Sequence, residues 1–317
     1  MNTEKILPIA KGFLKHIPGI EKMRVKKTGG TINSRYCYSI WLRHLIHAIK
    51  GFHLKSIPVT VAELGPGDSI GIGLAALLTG VENYYALDVY KYWDAKRNLT
   101  IFDELFRFIK AREKIPDNKE FPNAKPLLDS YEFPSKILSD KQLKKSLDPK
   151  RINEIKKEIA VLDNSSKNKY INYFIPWDGA NIIKKGSVDF IYSQAVLEHV
   201  EDLKSAYQAM HSWLKQSGIM SHQIDFKSHG ITKSWNGHWI YSDFEWKLVK
   251  AKKEFLINRA PLTRHIKLHD LFNFNILKKV IFSKKSLLKK QQLAKKFRTL
   301  CETDITTSGA YILSTKN

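Results

Sequence analysis

The chain has 317 residues, of which 43% are hydrophobic and 26% charged, so it can bury a full core and wholesale disorder is excluded. Its two cysteines, Cys37 and Cys301, are far apart and lack metal-ligand spacing, which argues against a disulfide scaffold and a structural zinc site. The formal net charge of +22 could attract nucleic acid, an anionic membrane or a phosphorylated substrate, but a solvated lysine face is the simpler interpretation.

The first segment, residues 1–57, is predicted to be helical. Its apolar residues recur at helical spacing, and Lys5, Lys11 and Lys15 interrupt them too often for a signal peptide. The longest apolar stretch of the chain, residues 70–78, is too short to span a bilayer. We therefore expect a cytoplasmic protein, and the basic first helix leaves peripheral membrane contact open.

The next segment, residues 58–317, alternates strands and helices. A β-branched strand over 58–65 leads through a glycine turn into a helix over 69–80, followed by a strand over 83–90 and a helix over 93–112. This order predicts an α/β fold with a Rossmann-like, doubly wound, mostly parallel sheet. Further strands are predicted over 169–176, 187–194, 217–225, 274–283 and 309–317, which makes seven, with a helix over 197–214.

An insertion over residues 111–169 breaks the alternation. It is rich in proline and charge, and Asp148 and Pro149 are typical of a helix N-cap and first turn. We expect this helical insertion to form a lid or cap on the α/β domain.

The glycine turn is the first candidate site. Gly65 and Gly67 allow backbone to pass close to a ligand at a helix N-terminus. The glycine spacing differs from the dinucleotide-binding pattern G-x-G-x-x-G, because position 70 is Ile and the next glycine is at position 71. Glu63 precedes the turn and can face the amino end of a ligand, whereas Asp88 ends the second strand, where a carboxylate can accept both ribose hydroxyls.

These residues, together with the segment DFIYSQAVLEHVED over 189–202, resemble the class I S-adenosylmethionine-dependent methyltransferases. The resemblance covers the chain from residue 59 to its end, although Ser69 stands where the family often has a third glycine. It implies S-adenosylmethionine as cofactor, with Glu63, Gly65 and Gly67 near its methionine part and Asp88 on its ribose. It further places Asp178 at the adenine, Ser193 and Gln194 at the methionine end, and His199 near the substrate.

Candidate catalytic residues lie at the end of the fifth predicted strand and just after it. His222, Asp225 and His229 lie within eight residues at the edge where such a sheet binds ligands, so one of them could be a general base. A metal site of the two histidines and the aspartate is an alternative that the spacing does not demand, and we expect no metal. Ordinary hydrogen bonding at a strand end explains any one of the three residues equally well.

Candidate acceptor contacts lie further along, where Tyr241 belongs to an aromatic-rich segment suited to stacking. In relatives that methylate saccharides, an Asn-Arg segment lies near the acceptor, which makes Arg259 a candidate for gripping an anionic group. The predicted function is O-methylation of a small molecule or saccharide, for example in making a cell-surface polysaccharide.

The alternative is a nucleic-acid (RNA) methyltransferase. Residues 247–300 include sixteen Lys or Arg but only two acidic residues, and such a basic segment could attract the phosphates of nucleic acid. The common versions of that class are disfavoured. The fourth strand is not followed by an Asn/Asp-Pro-Pro-aromatic motif, and neither cysteine follows a proline. An inactive interaction protein on the same fold is a third hypothesis, which intact cofactor residues disfavour.

Overall fold

The computed structural model describes residues 3–14, 30–52, 56–92, 94–163, 167–177, 179–251 and 256–317. The seven strands are β1 Thr60–Leu64, β2 Asn83–Leu87, β3 Ile171–Phe174, β4 Val188–Gln194, β5 Leu214–Asp225, β6 Phe274–Ser283 and β7 Thr307–Lys316. The helices are α1 Thr3–Leu14, α2 Ser34–Phe52, α3 Gly71–Thr79, α4 Ala95–Ala111, α5 Asp140–Ser146, α6 Pro149–Ala160, α7 Leu203–Trp213, α8 Asp243–Lys250, α9 Leu262–Leu271 and α10 Glu302–Thr306.

All seven strands form one sheet in the order β3-β2-β1-β4-β5-β7-β6. The first five are parallel, and β7 runs against both of its neighbours. The predicted α/β fold with a doubly wound, mostly parallel sheet is therefore confirmed. The strand order reverses between β1 and β4, and ligands bind such sheets at the carboxyl ends of the strands beside that reversal.

Helices cover both faces of the sheet. On one face, α2, α3 and α4 share a single core with the sheet, and Trp41 of α2 donates its indole N–H to the hydroxyl of Thr79 at 2.8 Å. On the other face, α7 and α9 pack over the alternate residues of β4 and β5. The predicted N-terminal helices therefore include one, α2, that helps to form the main core.

The helices of the insertion contact the beginnings of the strands. Gln142 of α5 donates to the carbonyl of Thr79, just before β2, and Arg151 of α6 donates to the carbonyl of Val81 at 2.6 Å. Glu158 accepts the backbone N–H groups that open β3. Because β1, β2 and β3 are parallel, these contacts lie at the edge opposite their carboxyl ends. Helices α5 and α6 therefore do not form the expected lid.

The earlier part of the insertion is fastened to α2 by a buried arginine. Arg43 is fully buried and donates to the carbonyl oxygens of Pro116, Ala124 and Pro126 at 2.9 to 3.1 Å. Its guanidinium also lies over the ring of Tyr131, 4.9 Å from the centroid. A guanidinium presents several donors in a rigid plane, so one side chain can fix several turns of irregular chain.

The largest difference from the predicted helix boundaries is at the start of α7. The helix expected over 197–214 begins only at Leu203, where Asp202 accepts the N–H of Ser205 as N-cap. Residues 197–199 instead form a turn, and Asn258 donates its side-chain amide to the carbonyls of Leu197 and Val200 at 2.7 and 2.8 Å. Among the described helices, none is long and apolar enough to cross a membrane.

Candidate active site

The glycine turn follows β1 at the carboxyl edge of the sheet. Gly65 and Gly67 have φ values of +64° and +74°, the left-handed region that favours glycine. A Cβ built on Gly65 would lie 2.7 Å from Cγ2 of Val196, in the segment after β4. The backbone of the turn therefore packs directly against that segment, and glycine is required both by conformation and by space.

Asp88 is placed beside the turn, where β2 ends. Its carboxylate accepts the N–H of Gly67 at 3.1 Å and that of Val89 at 2.8 Å. Burial is the largest influence on this group and raises its pKa to about 6. The site therefore holds a nearly buried carboxylate at the position where a ribose is expected.

Glu63 lies beneath the turn and does not reach the surface. Its carboxylate accepts the hydroxyls of Tyr84 at 2.5 Å and of Tyr192 at 3.0 Å, and burial raises its pKa to about 8. On β1, Glu63 points to the same side as Val61, toward α3. The structure therefore shows it holding the floor of the turn through two tyrosines, and a contact with ligand stays a prediction.

Ser193 and His222 face the other side of the sheet. The hydroxyl of Ser193 and Nδ1 of His222 are 2.8 Å apart, and both side chains are fully buried. Burial lowers the pKa of His222 well below its usual range, so the ring is neutral. His222 shares its side of β5 with Met220 and Ile224 under α7 and α9. As a correction, the structure places this predicted base in the core.

Gln194, the last residue of β4, takes part in a polar network that the sequence did not indicate. Its Oε1 lies 3.0 Å from Nε2 of His44 on α2, and Nδ1 of His44 lies 2.7 Å from the hydroxyl of Ser221. Burial lowers the pKa of His44 to about 3. The neutral imidazole of His44 thus joins α2 to the end of β4. The only sign of this role in the sequence is that His44 lies on the apolar face of a predicted helix.

Asp225, His229 and His199 meet at the carboxyl edge. Oδ2 of Asp225 lies 3.8 Å from Nε2 of His229, and the rings of His199 and His229 pack edge to face with centroids 5.1 Å apart. Asp225 also accepts the N–H of Lys227 at 2.8 Å. Beside them, Glu198 is buried, which raises its pKa well above the usual range. We call Glu198, His199, Asp225 and His229 the edge cluster.

The predicted acceptor residues Tyr241 and Arg259 lie in a separate core. Tyr241 is fully buried and packs on Trp246 with centroids 5.8 Å apart. Arg259 donates to the carbonyl of Tyr241 at 2.7 Å and pairs with Asp243, with its guanidinium 4.8 Å from the Trp246 ring. Both side chains hold protein to protein, which corrects the prediction that they grip substrate. Asp178, predicted at the adenine, lies outside the described residues.

The chain matches the model of a methyltransferase domain family over residues 156–221. This stretch runs from α6 into β5 and includes the segment after β4. Together with the observed sheet, the match confirms the predicted class. This part of the chain is therefore a methyltransferase domain, as predicted, and S-adenosylmethionine is its predicted methyl donor.

The fold is also similar to solved methyltransferase structures. Phosphoethanolamine N-methyltransferase 2 of Haemonchus contortus, in complex with S-adenosyl-L-methionine, is 12% identical, with a TM-score of 0.42 over 87% of this chain and 52% of that one. The chain thus spans about half the length of that protein. A SAM-dependent methyltransferase from Methanosarcina mazei is 12% identical, with a TM-score of 0.43 over 84% of this chain and 96% of that one. No curated protein sequence matches the chain.

Proposed function

We propose that this protein transfers a methyl group from S-adenosylmethionine to a hydroxyl oxygen of a small molecule or saccharide, for example in making a cell-surface polysaccharide. The observation that carries the proposal is the edge cluster. Its imidazole and carboxylate groups lie at the carboxyl edge, after β4, which pairs with β1, and at the end of β5, which pairs with β4. A hydroxyl acceptor needs such groups because it must lose a proton to become a good nucleophile.

The donor site fits S-adenosylmethionine. Gly65 and Gly67 leave the backbone of the turn without side chains, so a ligand can approach it closely. The buried carboxylate of Asp88 provides two acceptor oxygens for paired ribose hydroxyls. We assign Ser193, Gln194 and Glu63 to support the methionine end of the site and Asp178 to the adenine. When bound, S-adenosylmethionine supplies an activated methyl group on a sulfonium.

The acceptor side of the reaction belongs to the edge cluster. As the acceptor oxygen bonds to the methyl carbon, the carbon–sulfur bond breaks and its electron pair stays on sulfur. The products are a methyl ether and S-adenosylhomocysteine, and the hydroxyl proton passes to the edge cluster and then to water. Asp225, His199 and His229 have the positions to guide that proton, whereas His222 is shielded in the core.

Cofactor binding should depend on pH through Asp88. Because burial raises the pKa of this group to about 6, the carboxylate becomes increasingly protonated as the pH falls below 6. Only the ionised form accepts hydrogen bonds through both oxygens, so affinity should be full above pH 7 and fall by roughly tenfold at pH 5. Calorimetric titration with S-adenosylmethionine between pH 5 and 8 tests this. An affinity that stays flat across this range would contradict the assignment.

The acceptor class can be tested by transfer of radiolabelled methyl groups into fractions of a cell extract. We expect label in the glycan or small-molecule fraction, in a linkage that survives alkali as an ether does and an ester does not. A parallel reaction with Asp88→Ala should leave that fraction unlabelled. Label confined to RNA would replace the proposal by the nucleic-acid alternative, and label in protein would exclude both.

A further inference from the structure

We propose that Glu198, His199 and His229 together bind a divalent transition-metal ion at the mouth of the active site. This inference rests on the proposed function, because the ion would act on the hydroxyl acceptor. It gives the edge cluster a specific role, the binding of a metal ion. Neither the class of enzyme nor the residues predicted from the sequence required such an ion.

The first observation is the spacing of the three side chains. A carboxylate oxygen of Glu198 and one ring nitrogen from each of His199 and His229 all lie within 4.8 Å of one another. Ligand atoms that each lie about 2.1 Å from one ion are about 3 to 4 Å apart, so small side-chain rotations would bring these three atoms onto one ion. Glu198, His199 and His229 are the group of potential metal ligands that the described residues bring this close together.

The second observation is the state of Glu198. Its side chain is 3% exposed, and neither carboxylate oxygen makes a hydrogen bond of good geometry within the described residues, although the backbone N–H groups of Glu198 and Asp225 are near it. A buried carboxyl group with nothing to accept from is costly, and such groups are normally paired or bound to a metal. Glu198 and His199 lie in the same short turn, so a cation bound between them would provide the missing partner for the Glu198 carboxylate.

The third observation is that the site is held rigidly by its surroundings. The N–H of Asn258 donates to the carbonyl of Glu198 at 2.6 Å, in addition to the side-chain bonds that fix this turn. His229 has a φ of +49°, an uncommon conformation for a residue with a side chain. Oδ2 of Asp225 lies 3.8 Å from Nε2 of His229, so a carboxylate is close to the ring without being hydrogen bonded to it.

The ligand set indicates the kind of ion. Two imidazoles and one carboxylate suit Mn²⁺, Fe²⁺, Co²⁺ or Zn²⁺ better than Ca²⁺ or Mg²⁺, which prefer oxygen ligands throughout. Three protein ligands leave positions open for an outside group. His229 is one-third exposed, so the open side faces the solvent from which an acceptor arrives.

The ion would activate the acceptor hydroxyl for attack. An acceptor hydroxyl bound at the open position has a lowered pKa, as metal-bound water does. Its proton leaves to Asp225 or to water, and the resulting oxygen anion attacks the methyl carbon as the carbon–sulfur bond breaks. Because the segment that carries Glu198 also carries Val196, which contacts Gly65, the ion lies beside the donor site.

The test is direct binding of Co²⁺, Mn²⁺ and Zn²⁺ to the 317-residue protein after dialysis against a chelator. Calorimetry should show one ion per chain, and the visible spectrum of Co²⁺ should change as imidazole nitrogens bind. Glu198→Gln and His229→Asn should each weaken binding by at least about tenfold, because loss even of an outer-shell partner costs that much. Glu201→Gln is the matched control, since Glu201 lies in the same segment but is exposed and pairs with Lys250.

Stability and cofactor binding separate the possible outcomes. Added metal should raise the melting temperature of the wild type and of Glu201→Gln, but not that of Glu198→Gln. S-adenosylmethionine titrations on the same samples test the proposed function independently. Wild-type protein that binds no ion, or ion binding unchanged in Glu198→Gln and His229→Asn, would overturn the metal site even if the cofactor binds. Ion binding without cofactor binding would overturn only the proposed function.

Discussion

Gly65→Ala is expected to weaken binding of S-adenosylmethionine by about 100-fold or more. The residue has φ +64°, and placing a side chain there costs about 1 to 2 kcal/mol. The added Cβ would also lie 2.7 and 2.8 Å from the two Cγ atoms of Val196, so the turn must shift away from the segment after β4. A shifted turn moves the N–H of Gly67 away from Asp88 and spoils the donor site. Calorimetric titration measures the loss.

Gly186→Ala is the matched control for this prediction. Gly186 has the same φ of +64°, yet a Cβ built there meets nothing within 4 Å. It should show the conformational cost as a lower melting temperature while cofactor affinity stays within a factor of about two. Adding Val196→Ala to Gly65→Ala should recover part of the affinity by making room. If Gly65→Ala binds as the wild type does, the glycine turn is not the cofactor site.

Much of the fold could be predicted because its signals are local. The β-branched run of β1, the turn glycines and the apolar run of α3 follow one another within twenty residues, and Gly80 ends α3 in the left-handed conformation. Strand β6, Phe274–Ser283, has the predicted boundaries. Period and turn chemistry determine such elements before any tertiary contact forms.

The errors arose where tertiary packing decides the role of a residue. His222 is the exception: it lies three residues before the end of β5, and strand alternation alone places it on the side of Met220 and Ile224. No pattern could show that Arg259 would be stacked on Trp246, or that α7 would begin late because Asn258 binds the preceding turn. These contacts join residues that are far apart in the chain.

The same limit explains why the metal ligands escaped prediction. Glu198 and His199 are adjacent, and His229 was considered with His222 because those two are near in sequence. Only the parallel pairing of β4 with β5 shows that the residues after one strand meet the residues after the other. The sequence separated the ligands, and the sheet brings them to one edge.

Asp88→Ala is expected to reduce S-adenosylmethionine affinity by about 100-fold or more, because two hydrogen bonds to a charged group, each contributing about 1.5 to 3 kcal/mol, are lost. Asp88→Asn should lose less affinity and should also lose the decline below pH 6, since an amide does not titrate there. Asp189→Ala is the control, because Asp189 accepts the N–H of Thr60 at the opposite edge of the sheet. It should lower stability and leave affinity unchanged. Equal losses in Asp88→Ala and Asp189→Ala would mean that the carboxylate of Asp88 serves the fold, and that the ribose is held elsewhere.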